Sequence, residues 1–217
     1  MPKAAFFDMD LTLLRVNSGS RWIRYLRRRG EIGLPMLVRS GIWLLQYRLS
    51  LLDMEAVAAM LARDMAGDSE AETRRKVAEF YRTELQHTVS SVAQAALEEH
   101  RSQGDTVVLL TSATPYVAEP LAEQLAISHV LCTRLVVKGG HFSGEVHKPA
   151  CYGFGKVHHA EHFAKAHSID LAQSSFYTDS YSDLPMLLRV GRPVAVNPDR
   201  RLARYARRHS WPVLSWH

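Results

Sequence analysis

Asp8 and Asp10 stand two residues apart at the end of a short apolar run, Ala4-Ala5-Phe6-Phe7. Side chains at that spacing on an extended chain project to the same side. A second acidic pair, Asp179 and Asp183, follows the run Ser175 to Thr178, and Thr111 and Ser112 follow Thr106 to Leu110. Lys156 opens a helical stretch between them, with Lys148, beside Pro149, as its rival for the same position. Acids gathered in one crevice raise one another's pKa unless cations neutralise them. All-oxygen ligands with room for water and a phosphate oxygen suit Mg²⁺ better than zinc or copper, and Lys156 offers a fixed second charge. Such a set is organised for phosphoryl transfer, in which the protein positions the group and stabilises its charge. Asp8 would attack phosphorus and carry it as an aspartyl-phosphate. Asp10 would protonate the leaving alcohol and then deprotonate the attacking water. The Ser112 hydroxyl, or failing it Thr111, would hold phosphate oxygens together with nearby backbone N–H groups.

The elements needed to position these groups can be read from the periodicity. Residues 4–8 and 106–110 read as buried strands, and 129–132, 175–178, 193–196 and 211–214 as further strands. Helices are expected from about 117 to 126, from 155 to 167, and from near Leu184-Pro185, with an Arg-rich helix before the last strand. Leu135 to Val137 and Phe142 to Val146 flank Gly139-Gly140 and read as a hairpin. Strands alternating with helices predict a doubly wound parallel sheet, whose ligands sit at the strands' carboxyl ends. From Ser18 to about Gln103 the pattern is helical throughout, with Ser18 or Ser20, Asp53 and Asp68/Ser69 as caps and Pro35 in a first turn. The domain division expected is therefore a core of 1–16 plus 104–217 and an all-helical insertion of 17–103.

Asp8-Met-Asp10-Leu-Thr12, Thr111-Ser112, Lys156 and Thr178-Asp179-Ser-Tyr-Ser-Asp183 resemble, in order and separation, motifs one to four of the haloacid dehalogenase-like (HAD) superfamily. The helical insertion after strand one resembles its C1 cap, and the hairpin and the closing Val196-Asn-Pro-Asp resemble the phosphoserine-phosphatase-like subfamily IB. The resemblance implies a Rossmann-like HAD core and a Mg²⁺-dependent phosphomonoesterase. It implies metal ligation by Asp8, the Asp10 carbonyl and Asp179, with Asp183 in support. Arg15, Asn17 and Arg21, where the chain enters the cap, become candidates to touch the leaving group. Phosphoserine phosphatases place a glutamate where Asn17 stands here, which argues against phosphoserine as substrate. Thr12 serves either local backbone groups or the nucleophile.

Composition narrows the rest. With 217 residues, 47% hydrophobic, the chain suits one α/β core plus an insertion and is no disordered tail. Cys132 and Cys151 lie outside any C-x-x-C spacing, so a disulfide framework and a structural zinc are not expected, and a reducing cytoplasm is. Ile32 to Leu52 carries Arg39, Gln46 and Arg48 and reads as an amphipathic helix rather than a membrane span, and no secretory signal is read at the start. Trp22, Trp43, Tyr47, Met54 and Met60 read as helix packing. The arginines at 24, 27, 28 and 29 and at 200, 201, 204, 207 and 208 contribute to a net charge of +5; they read as solvated helix faces, and no nucleic-acid partner is expected. His158, His159 and His162 read as surface residues. The partner expected is a small phosphorylated metabolite, met by a monomer or homodimer. Alternatives are phosphotransfer to an alcohol, a phospho-accepting signalling domain, or a silent anion-binding scaffold.

Overall fold

The computed structural model describes residues 2–33 and 54–216. The expected stretch from Ile32 to Leu52 lies almost wholly outside these residues, as do Pro35, Trp43, Tyr47 and Asp53. Six parallel strands form one sheet in the order β3-β2-β1-β6-β7-β8: β1 (Ala4–Phe7), β2 (Thr106–Leu110), β3 (His129–Leu131), β6 (Ser175–Thr178), β7 (Arg192–Val196) and β8 (Val213–Leu214). Phe7 pairs with Leu109 on one side and Tyr177 on the other. The strand order reverses about β1, so the ends of β1, β2 and β6 border one crevice.

The strands are continuous apolar runs because both faces of the sheet are covered. Ala5, Phe7, Val107 and Leu109 face α4 (Ser91–Ser102) and α5 (Pro115–Gln124), and the alternate residues Ala4, Phe6, Val108 and Leu110 face α6 (Phe154–Ala166), α7 (Leu184–Leu187) and α8 (Arg200–Arg208). Helix α4, which the division at 17–103 assigns to the insertion, lies on this sheet: Ala93 and Leu97 are buried with Phe7 and Leu109. His100 bonds Asp105 at 2.7 Å and the Tyr177 hydroxyl at 2.8 Å. Periodicity shows that a helix has an apolar stripe, not which layer receives it.

Between β1 and β2 the chain forms α1 (Ser18–Arg28), α2 (Met54–Asp64) and α3 (Glu70–Phe80). The Trp22 and Phe80 rings meet edge to face at 5.0 Å. Ser69 caps α3, its hydroxyl accepting from Glu72 N–H at 3.4 Å. The cap of α1 is Asn17, not Ser18 or Ser20: its Oδ1 accepts from Ser20 N–H at 2.9 Å. The expected hairpin is present as β4 (Leu135–Lys138) and β5 (His141–Val146). It is fastened to the α2–α3 connection by Gly67 N–H to Phe142 O (2.9 Å) and Phe142 N–H to Asp68 O (3.0 Å). Cys132 and Cys151 are buried thiols. No helix among the described residues is long and apolar enough to cross a membrane.

Candidate active site

Strand β1 delivers Asp8 directly: its N–H donates to Tyr177 O at 2.9 Å, extending the ladder one residue past the strand. The chain then turns tightly through residues 9–13, closed by Leu14 N–H to Met9 O at 2.9 Å. Leu11 takes a left-handed φ of 56°. The Asn197 amide, beyond the end of β7, donates to Leu11 O at 2.8 Å, and its oxygen accepts from Trp216 N–H at 2.8 Å. A polar pin from another strand therefore holds this turn. Thr12 is fully buried, and its hydroxyl has no partner among the described residues.

Lys156 is in the first turn of α6, where the helix approaches the preceding loop closely. A Cβ on Gly155 would stand 1.8 Å from Ala150 O, so glycine alone fits there. Only 2% exposed, the Lys156 ammonium donates to Asp8 Oδ1 at 2.6 Å and to Asp183 Oδ2 at 2.7 Å. The Thr178 hydroxyl donates to the same Asp183 oxygen at 2.6 Å. Burial alone would depress the lysine's pKa, but Asp183 and Asp8 outweigh it and hold the pKa above the ordinary value. Lys156 therefore stays cationic. Lys148 is exposed.

Asp10 is turned toward the start of α1. Its Oδ1 accepts from Ser18 N–H at 3.0 Å, and its Oδ2 accepts from the Ser18 hydroxyl at 3.0 Å and the Asn17 amide at 3.2 Å. Burial raises its pKa to about 7 even so. Asp8 is raised to about 6, also by burial, with Lys156 opposing. Asp179 is raised well above the usual carboxylate range by burial and by Asp8, Asp183 and Asp10. Among the described residues its carboxylate makes no hydrogen bond. One ammonium thus faces four acids, a charge deficit that a divalent cation would fill.

No three His, Cys, Asp or Glu side chains among the described residues close into a metal cage. Mg²⁺ does not need one, since it keeps several waters and binds through one or two carboxylates plus substrate oxygens. The residues present suit it: one Asp8 oxygen is on Lys156, the Asp179 carboxylate makes no hydrogen bond among the described residues, and Asp183 is engaged by Lys156 and Thr178.

The β2 end is divided in use. The Thr111 hydroxyl accepts from Ala113 N–H at 3.2 Å. Ser112 is half-buried, and among the described residues neither its hydroxyl nor its N–H has a partner. Arg15 is exposed and donates to the His87 carbonyl at 3.2 Å. Arg21 faces Glu84 at 3.9 Å, and its Nε is buried without a partner among the described residues. Asn17 spends its oxygen on α1 and its amide on Asp10. His158 and His162 are exposed, and His159 bonds the Pro149 carbonyl at 2.9 Å. Ser18, Thr178 and Asn197 carry much of this scaffold, and their sequence positions alone do not single them out as site residues. The signal for Ser18 was present, eight residues beyond Asp10, but it was equally compatible with a helix cap.

Comparison with known proteins identifies the family. The chain is 34% identical to the "inhibition of morphological differentiation protein" of Streptomyces azureus, over 99% of this chain and 78% of that one. It is 32% identical to the phosphoserine phosphatase SerB1 of Mycobacterium tuberculosis (97% and 70%) and 26% identical to a histidinol-phosphatase of Neisseria meningitidis (100% of both). A crystal structure of a Bordetella pertussis protein of unknown function superposes with a TM-score of 0.89 at 27% identity, covering both chains fully. A phosphoserine phosphatase solved as a phospho-aspartyl intermediate analogue shares the fold, with a TM-score of 0.72 at 18% identity over 100% and 94%. The haloacid dehalogenase-like hydrolase family model matches residues 5–188. The chain belongs to the haloacid dehalogenase-like hydrolases, and within them it is a phosphatase of the phosphoserine-phosphatase-like kind.

Proposed function

We propose that the chain hydrolyses a small phosphomonoester through an aspartyl-phosphate on Asp8. The observation that carries this reading is the buried Asp8–Lys156–Asp183 bridge, drawn from three distant stretches of chain. Lys156 holds one Asp8 oxygen, orienting the carboxylate and leaving the other oxygen to attack phosphorus. As the bond from Asp8 to phosphorus forms and the ester oxygen departs, Asp10 gives that oxygen its proton. Asp10 then takes a proton from water, whose oxygen bonds phosphorus while the Asp8–phosphorus bond breaks and phosphate leaves. Ser112 would hold a phosphate oxygen through its free hydroxyl and N–H. Mg²⁺, held by Asp8, Asp179 and the Asp10 carbonyl, would neutralise charge on the phosphate oxygens.

Helices α1, α2 and α3, with the β4–β5 hairpin fastened to the α2–α3 connection, would act as the cap that excludes bulk water. Two relatives are named for phosphoserine and histidinol phosphate, both small alkyl esters. A panel of alkyl phosphomonoesters including these two, assayed with Mg²⁺ and with a chelator, tests the reading. Phosphate release that depends on Mg²⁺ and vanishes in Asp8→Asn supports it; release untouched by either change refutes it.

A further inference from the structure

The side chain of Asp10 is fastened to the first turn of α1 rather than to the crevice floor. Both of its oxygens are engaged by residues 17 and 18: the Ser18 N–H on one, the Ser18 hydroxyl and the Asn17 amide on the other. We infer that Ser18 and Asn17 are positioning residues for proton delivery, a clamp that sets where the Asp10 carboxyl meets the leaving oxygen. This rests on the hydrolase reading given above and names what aims its acid.

The clamp follows from how α1 begins. Asn17 is the cap, and its Oδ1 accepts from both Ser20 N–H and the Ser20 hydroxyl at 2.9 Å. That fixes the amide plane and leaves Nδ2 pointing back at Asp10. Ser18, with its cap duty taken by Asn17, turns its hydroxyl to the same carboxylate and is itself buried. Its N–H is one of the orphan donors every helix start presents. Here all three donors converge on one acid seven and eight residues upstream. A carboxyl free to rotate would reach the ester oxygen only part of the time, and misplacement of a reacting group by an ångström is costly. Ser18 and Asn17 also belong to the helix that starts the cap, so acid and cap are placed as one piece.

The inference separates from a merely structural role by the leaving group. A p-nitrophenolate departs without a proton, whereas an alkoxide needs one, so in the first displacement the aim of Asp10 matters for alkyl esters alone. The variants are Ser18→Ala, Ser18→Thr and Asn17→Asp. Asn17→Asp keeps a good helix cap while replacing the donor to Asp10 with a like charge. The measurement is kcat/KM, which reports the first displacement, for an alkyl phosphate and for p-nitrophenyl phosphate with Mg²⁺.

Ser18→Ala and Asn17→Asp are expected to lower kcat/KM roughly 10- to 100-fold on the alkyl ester and less than about threefold on the aryl ester. Ser18→Thr, which keeps the hydroxyl, should restore most of the loss. Equal losses on both esters, or no loss on either, would overturn the clamp. Wild-type protein inactive on both esters would instead overturn the hydrolase reading itself.

Discussion

The crevice and the seam between α3 and α5 are both polar, yet they are built in opposite ways. In the crevice, Asp8, Lys156 and Asp183 are almost entirely buried and lock together at 2.6 and 2.7 Å. Across the seam, Arg74 meets Glu119 at 3.0 Å and the Tyr116 hydroxyl meets Glu70 at 3.2 Å, with the Arg74 and Glu119 side chains 52% and 39% exposed. Exposed pairs are worth about 0–1 kcal/mol because water competes for both partners. Removing one member of a buried pair costs about 3–5 kcal/mol, since the survivor keeps its charge without solvent. The contrast teaches that the polar contacts of the crevice are shielded from water while those of this seam are open to it, and the cap helices rest on the core through apolar groups such as Tyr25 and Phe80 instead.

The sharpest way to break the comparison is at its buried end. Lys156→Met should abolish measurable turnover and destabilise the protein by about 3–5 kcal/mol, read by urea unfolding, because Asp8 and Asp183 are then left facing each other. Lys156→Met with wild-type stability would show that the bridge is not the structural centre of the site.

A pH series of metal-free protein sharpens it further. Burial raises Asp10 to about 7 and Asp8 to about 6, both well above the ordinary carboxylate range. In that window the folded state binds more protons than the unfolded one, so these acids contribute stability at low pH that is lost as pH rises through 6 and 7. Asp10→Asn removes its share of that loss. The variant's melting temperature relative to wild type should therefore climb between pH 5 and about pH 7 and then level off, by about 1.4 kcal/mol for each pH unit crossed in that window and roughly 3 °C per kcal/mol. A gap that stays constant across the series would refute the burial argument. Adding Mg²⁺ at pH 8 should stabilise wild-type protein by RT ln(1 + [Mg²⁺]/Kd), and Asp179→Asn should weaken that response.

The smallest effect belongs to the seam. Arg74→Ala should change stability by less than about 1 kcal/mol, and less still in high salt. A loss comparable with that of Lys156→Met would erase the distinction between the two regions.

The strands and the acids at their ends were legible because buried parallel strands announce themselves as apolar runs and because a carboxylate directly after such a run has few structural uses. Lys156 was legible against Lys148 by its place at a helix start. The assignment of α4 to the sheet was not legible, since the face carrying Ala93 and Leu97 would suit either layer. Nor was the clamp on Asp10. Asn17, Ser18 and Ser20 are each good cap residues, and only the fold shows that Asn17 takes the role and frees the Ser18 hydroxyl. The pinning of Leu11 by Asn197 joins residues 186 apart in the chain, a contact that no local pattern encodes.

The most direct measurement is rapid acid quench during turnover of an alkyl phosphate with Mg²⁺, followed by mass spectrometry of the peptides. Phosphate carried on Asp8, and absent from Asp8→Asn, is the expected result. Phosphate on another side chain, or undiminished turnover in Asp8→Asn, would contradict the account.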